Sequence, residues 1–179
     1  WRERHNRPCR SVGNPQTAVV SIDMIEPLAR RIADRGWHVQ LNMEADEIAQ
    51  NAGMLKRLPT SVVFDHLGKL PPEQGIRHPA YGIIRGMLDS GKAWLKLSGA
   101  YLNTIVGPPE YPDATTVAQA YVTAVPDRLV WGSDWPHPTP VMPPDDSILF
   151  DLLLLWAPDE RVRNRILVEN PQALYGFPK

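Results

Sequence analysis

The chain has 179 residues, 43% hydrophobic and 22% charged, with a net charge of −1. That balance fits one soluble globular domain with a core of its own, and leaves out a strongly basic nucleic-acid binder or a binder of anionic membranes. No apolar run reaches the roughly 18 residues of a membrane span, and a single cysteine, Cys9, excludes an internal disulfide framework and points to the reducing cytoplasm.

Residues 1–20 carry four arginines in the first ten positions, without periodicity, and Val19 and Val20 can close a strand or loop. No apolar segment follows this basic start, so it does not read as a secretory signal. A helix is predicted next, capped by Ser21 or Asp23, with Pro27 in its first turn and an Ile25, Leu28, Ala29, Ile32 stripe. Gly36 ends it, and Trp37–Met43 alternates apolar with polar residues as a strand does. The same unit recurs three times. Helices are predicted over Asp46–Leu58, Pro79–Asp89 and Ala114–Ala124, with strands over Ser61–His66, Ala93–Gly99 and Arg128–Asp134. Pro59 and Gly91 close the first two of those helices. Two further helices follow over Asp146–Trp156, capped by Ser147 or a neighbouring aspartate, and Asp159–Val168, with a short last one over Asn170–Tyr175. The 19 prolines fall between these segments as loop punctuation.

Helix alternating with strand predicts parallel strands joined by helical crossovers, an α/β fold whose function lies at the C-terminal strand ends. The first strand ends in Asn42, with His38 and Gln40 sharing one face. The second ends in Asp65-His66-Leu67-Gly68, the third in Ser98-Gly99-Ala100-Tyr101, and the fourth in Ser133-Asp134-Trp135-Pro136-His137. Asp134 can take a proton from water or hold a metal-bound hydroxide, and equally can cap a turn before Pro136. His66 can polarise a carbonyl, ligate a metal or shuttle a proton, or bond beneath a loop. Asp65 faces the other way and reads as structural. His38 and Gln40 either meet substrate or satisfy one another. Lys96 needs a carboxylate or a substrate anion if buried. His137, between two prolines, shapes the pocket, while His5 and His78 read as surface residues. Trp94, Trp131, Trp135 and Tyr101 can line a cleft or fill core.

The segments Trp37–Leu41, Val63–Gly68, Trp94–Tyr101, Asp127–His137 and Asn170–Phe177 resemble, in order and spacing, the second half of the amidohydrolase-related family, nearest its 2-pyrone-4,6-dicarboxylate lactonase branch. The resemblance covers residues 14–177 and leaves residues 1–13 as an unmatched segment. It implies a TIM (β/α)8 barrel of the metal-dependent hydrolase type, present as about four βα units of its C-terminal half. It also implies an enzyme that hydrolyses a lactone, ester or amide bond in a small, carboxylated ring compound. In that family an aspartate ending the last strand is the general base, the place of Asp134, and His66 matches the histidine that binds or activates the carbonyl. The resemblance leaves His38, Gln40, Ser98, Tyr101 and His137 as substrate-binding candidates.

The superfamily's first-strand His-x-His pair has no counterpart here, because the first half of the barrel is expected to be absent, as an altered gene start would explain. No cofactor is expected if the chain is lactonase-like. Otherwise a divalent metal such as zinc is expected, with Asp134 and His66 as its ligands here. The branch clamps substrate carboxylates with arginines, yet Leu102-Asn103-Thr104 follows Tyr101 here. Alternative expectations are a catalytically inactive remnant or a metal-dependent decarboxylase of the same superfamily. The expected partners are a small-molecule substrate and a second copy at the open barrel edge, with no nucleic acid and no membrane.

Overall fold

The computed structural model describes residues 21–138 and 143–177. Strands β1 (Val39–Leu41), β2 (Val62–Phe64), β3 (Ala93–Leu97) and β4 (Leu129–Trp131) form one parallel sheet in the order β1-β2-β3-β4. Helices α1 (Ile25–Ile32), α2 (Ala45–Gln50), α3 (Ala52–Arg57), α4 (Pro79–Asp89), α5 (Pro112–Ala124), α6 (Asp146–Trp156), α7 (Glu160–Asn164) and α8 (Asn170–Tyr175) precede, separate and follow the strands. This is the expected α/β architecture, with four adjacent parallel strands of a TIM barrel. Among the described residues no helix is long and apolar enough to cross a membrane.

The period of two sorts each strand between two faces. Leu41, Phe64, Leu95, Leu97 and Leu129 belong to the main core, with Ile84 and Met87 of α4, Val117 and Tyr121 of α5, and Leu152 of α6. Val63, Trp94 and Val130 form a second cluster on the opposite face, packed by Leu174 of α8. Burial of this kind stabilises by roughly 25 cal/mol per Å² of apolar surface, which is why all-apolar strand triplets such as Val62-Val63-Phe64 are buried on both faces.

Several elements differ from expectation for local reasons. The strands are shorter than predicted because their polar ends turn out of the ladder at the rim. The single helix expected over Asp46–Leu58 is two, broken at Asn51, whose side chain donates to the Glu47 carbonyl at 2.8 Å and competes with the helix ladder. That region starts at Ala45, behind a capping box of Glu44 and Glu47. Neither Ser21 nor Asp23 caps α1, which is entered through a 3-10 turn over Ile22–Met24. The helix predicted over Asp159–Val168 is α7 followed by a π turn over Arg165–Glu169, with Asp159 as its cap. His78 is not a surface residue. It is 4% exposed, accepts from the Ala80 amide through Nδ1 as the cap of α4, and sets Nε2 3.0 Å from Asp46. Asp145 is the aspartate that caps α6. His5, Cys9 and the segment 1–13 lie outside the described residues.

Asn170 fastens the C-terminal helix to the sheet. Its buried amide donates to the Pro126 carbonyl at 2.8 Å and the Leu129 carbonyl at 2.7 Å. Asn170→Ala strands both acceptors and is expected to cost about 1–3 kcal/mol, read as a lower urea midpoint at unchanged m-value.

Candidate active site

Parallel strands present all their C-terminal ends at one rim, and four predicted site residues meet there. His66 follows β2, Ser98 and Tyr101 follow β3, and Asp134 follows β4. His66 Nδ1 lies 3.0 Å from Ser98 Oγ, and its Nε2 lies 3.7 Å from Asp134 Oδ1. The Tyr101 hydroxyl donates to Asp134 Oδ2 at 2.6 Å. His137 stands behind Tyr101, with Nδ1 3.2 Å from the hydroxyl and Nε2 2.9 Å from Asp146 Oδ1. Ser98 and His137 are buried, so they brace the site from behind rather than face the opening.

The backbone is bent to make this cluster. Residues 66–69 all have positive φ, between 46° and 74°, and Asp134 and His137 have φ of 69° and 54°. Such conformations cost non-glycine residues of order 1–3 kcal/mol each and persist where the surroundings dictate them. Gly99 is required at its place. A Cβ there would lie 2.7 Å from His66 Nδ1, so only glycine lets the imidazole rest against the end of β3.

His38 and Gln40 take a different position, on the sheet face that also carries Val63 and Trp94, with Gln40 in register with Val63. Gln40 donates to Asp65 Oδ2 at 3.1 Å, and the other Asp65 oxygen lies 3.2 Å from Lys96 Nζ. Lys96 thus has the carboxylate partner its burial demands. The His38 ring meets Tyr175 edge-on at 5.8 Å. Trp94 is buried under the Arg128 guanidinium and Trp131 packs on Phe150, whereas Trp135 is 75% exposed.

An open cleft of about 320 Å³ lies over the cluster, lined by His66, Asp134, Asn42, Glu44, Lys69 and Asn103. Lys69, a cation in this wall, was missed in the sequence. Its only signal is its position directly after Gly68 at a strand exit. Asp146 was missed as well, since nothing in the sequence ties the start of α6 to a loop histidine.

Burial lowers the His66 pKa below the ordinary 6.5, Lys69 and Lys96 add to this, and Asp65 and Asp134 oppose it. The ring is therefore neutral at pH 7, and its 3.7 Å approach to Asp134 is neither an ion pair nor a hydrogen bond. One oxygen of water or substrate can reach both groups. Burial raises the Tyr101 pKa, and its bond to Asp134 raises it further, so the phenol keeps its proton and donates. A catalytic zinc takes three protein ligands. Among the described residues no cluster of three or more histidine, cysteine or carboxylate groups occurs, so His66 and Asp134 alone do not make such a site.

His38 is likewise lowered, first by burial and then by Lys96. For both histidines the unfolded chain binds protons more readily than the folded one below pH 6.5. Their contribution to stability is complete above that value and is lost as pH falls from it through their lower folded-state pKa. His66→Gln is expected to flatten this acid limb, measured as urea midpoints on either side of pH 6.5.

The chain is similar to known proteins along most of its length. The amidohydrolase family profile matches residues 2–177. The 4-sulfomuconolactone hydrolase of Rhizobium radiobacter is 31% identical over 175 residues, covering 95% of this chain and 58% of the relative. The 2-pyrone-4,6-dicarboxylate hydrolase of Comamonas testosteroni is 33% identical over 162 residues, covering 86% and 53%. A crystal structure from Agrobacterium tumefaciens superposes with a TM-score of 0.82 at 28% identity, over 94% of this chain and 60% of that one. The chain thus spans little more than half the length of these relatives. It belongs to the amidohydrolase family, on its lactonase-like branch.

Proposed function

We propose that this chain carries the C-terminal half of the active site of a hydrolase that opens a lactone, ester or amide bond in a small, carboxylated ring compound. The observation that carries the reading is the 3.7 Å approach of His66 Nε2 to Asp134 Oδ1 at the floor of the cleft. The Tyr101 hydroxyl occupies Oδ2 and leaves Oδ1 as the basic atom. A water beside Oδ1 gives up its proton as its oxygen attacks the carbonyl carbon. Neutral His66 polarises the carbonyl oxygen through Nε2–H when the Ser98 hydroxyl donates to Nδ1. Lys69, whose Nζ lies 2.9 Å from Glu44 Oε1, is the cation of this wall that a carboxylate on the ring would meet by displacing Glu44. The two relatives named above are lactone-type hydrolases by name, which supports the same class.

Steady-state kinetics of the full chain on small carboxylated lactones tests this. Asp134→Asn is expected to lower kcat by about 10²–10⁴-fold with little change in KM, while Lys69→Met raises KM with kcat largely kept. Equal rates for the wild type and Asp134→Asn would remove Asp134 as the base.

Among the described residues β1 and β4 each pair on one side only. An unpaired strand edge invites another chain, so a second copy docking edge to edge belongs to this reading. Light scattering across a concentration series is expected to show a dimer, and a monomer at every concentration would contradict it. A cytoplasmic location accompanies the proposal, supported by the lone cysteine and tested by cell fractionation.

A further inference from the structure

The cleft carries a carboxylate of its own against its cation. Lys69 Nζ donates to Glu44 Oε1 at 2.9 Å, and the two residues come from different strand exits, Glu44 after β1 and Lys69 after β2. Both line the cleft, and among the described residues of that lining Lys69 has the only permanent positive charge. With His66 neutral, Glu44 offsets Lys69 and Asp134 is left over, so the resting cleft is net negative. A carboxylate that enters meets a lysine already engaged by another carboxylate.

The two partners are anchored differently. The Glu44 carboxylate also accepts from the Glu47 amide, and Glu47 Oε2 accepts in turn from the Glu44 amide at 3.1 Å, the capping box at the start of α2. Glu44 therefore keeps a partner and its place when Lys69 leaves. It is also 58% exposed, so water replaces the lost bond at little cost. Lys69 is rooted in the left-handed turn that carries His66, with φ of 46° and its amide donating to the His66 carbonyl at 2.9 Å. Its ammonium stands on a flexible four-carbon stem, with three donors that can be redirected. At 17% exposure it needs an anion at all times, though not one anion in particular.

We propose that Glu44 is a resident counter-ion which Lys69 exchanges for the carboxylate of the ring, and that it sets which carboxylates the cleft accepts. The inference rests on the reading of the cleft as a site for a carboxylated ring. The exchange is one for one. Lys69 loses an ion pair as it gains one, so the carboxylate by itself contributes little to binding. A small carboxylate such as acetate has nothing else to offer and stays out. A carboxylated ring adds contacts with the rest of the wall and its carbonyl with His66, and is retained. Glu44 is thereby a specificity-determining residue, and it makes the same carboxylate easy to release once the ring has opened.

The test uses a carboxylated δ-lactam, resistant to opening, with the matching carboxamide as its uncharged control. In the full wild-type chain the Lys69 ¹⁵Nζ and Glu44 ¹³Cδ NMR signals are both expected to shift with the lactam acid and not with the carboxamide. A Lys69 signal that moves while Glu44 stays still, no movement of either, or the same response to both probes overturns the exchange without any variant. Glu44→Gln keeps an oxygen for the Glu47 amide and removes the charge. It is expected to tighten binding of the lactam acid by roughly 2–5-fold, the worth of a partly exposed ion pair, and to leave the carboxamide unchanged. In the Lys69→Met background, adding Glu44→Gln is expected to bring no such gain. A gain that persists without the lysine is a field of Glu44 on any anion and contradicts the exchange, as does unchanged or weaker binding in Glu44→Gln alone. The lactam titration and the lactone assay fail separately. Exchange in a chain that opens no lactone sinks the hydrolase reading alone. Lactone opening with Lys69 still on Glu44 in the lactam complex sinks the exchange alone.

Discussion

Four strands run in one direction, each hydrogen-bonded to its sequence neighbour, and that register is the constraint on which the candidate site depends. Phe64 pairs with Leu95, and Leu95 with Leu129, so β2, β3 and β4 leave the ladder side by side. The residues that follow them arrive at one place although they lie up to 71 positions apart in sequence, from His66 to His137. A slip of one residue in β4 would turn Asp134 to the other side of the sheet, because side chains alternate. The apolar core prevents the slip. Leu95, Leu97 and Leu129 are fully buried beneath α4, α5 and α6, and moving any of them to the opposite face would remove it from that core.

The rim draws on this stability. His66, Asp134 and His137 all adopt left-handed backbone conformations, and none is a glycine. Each is held by contacts that a relaxed backbone would break: His66 against Ser98 and the bare face of Gly99, Asp134 under Tyr101, and His137 between Tyr101 and Asp146. The strain and the contacts are two aspects of one arrangement, in which the carboxylate has one oxygen occupied and the other aimed at a neutral imidazole. On the sheet face with Val63 and Trp94, Asp65 accepts from Gln40 through one oxygen and lies 3.2 Å from Lys96 Nζ through the other, so the two charges offset one another.

The sequence was most informative where local chemistry decides. Pro79–Asp89, Asp146–Trp156 and Asn170–Tyr175 form helices over the residues expected, because proline or aspartate at the start and apolar periodicity within leave little choice. It was less informative where side chains compete for backbone groups, as at Asn51, or where a polar residue is buried by a distant partner, as His78 is by Asp46. The site divides along the same line. Polar residues at apolar strand ends identify His66, Ser98, Tyr101 and Asp134. They do not reveal that Ser98 and His137 lie behind their neighbours, or that Lys69 and Asp146 join the group. Those relations depend on how loops fold over the rim, which no spacing encodes.

The central claim is that Asp134 and His66 address the same carbonyl group. A crystal structure of the chain with a ring lactam, isosteric with a lactone and resistant to opening, tests it most directly. The account predicts the lactam oxygen within hydrogen-bond distance of His66 Nε2 and the carbonyl carbon facing Asp134 Oδ1, with the ring in the cleft beside Lys69. A lactam bound elsewhere, or seated in the cleft with its carbonyl turned away from both side chains, would contradict it.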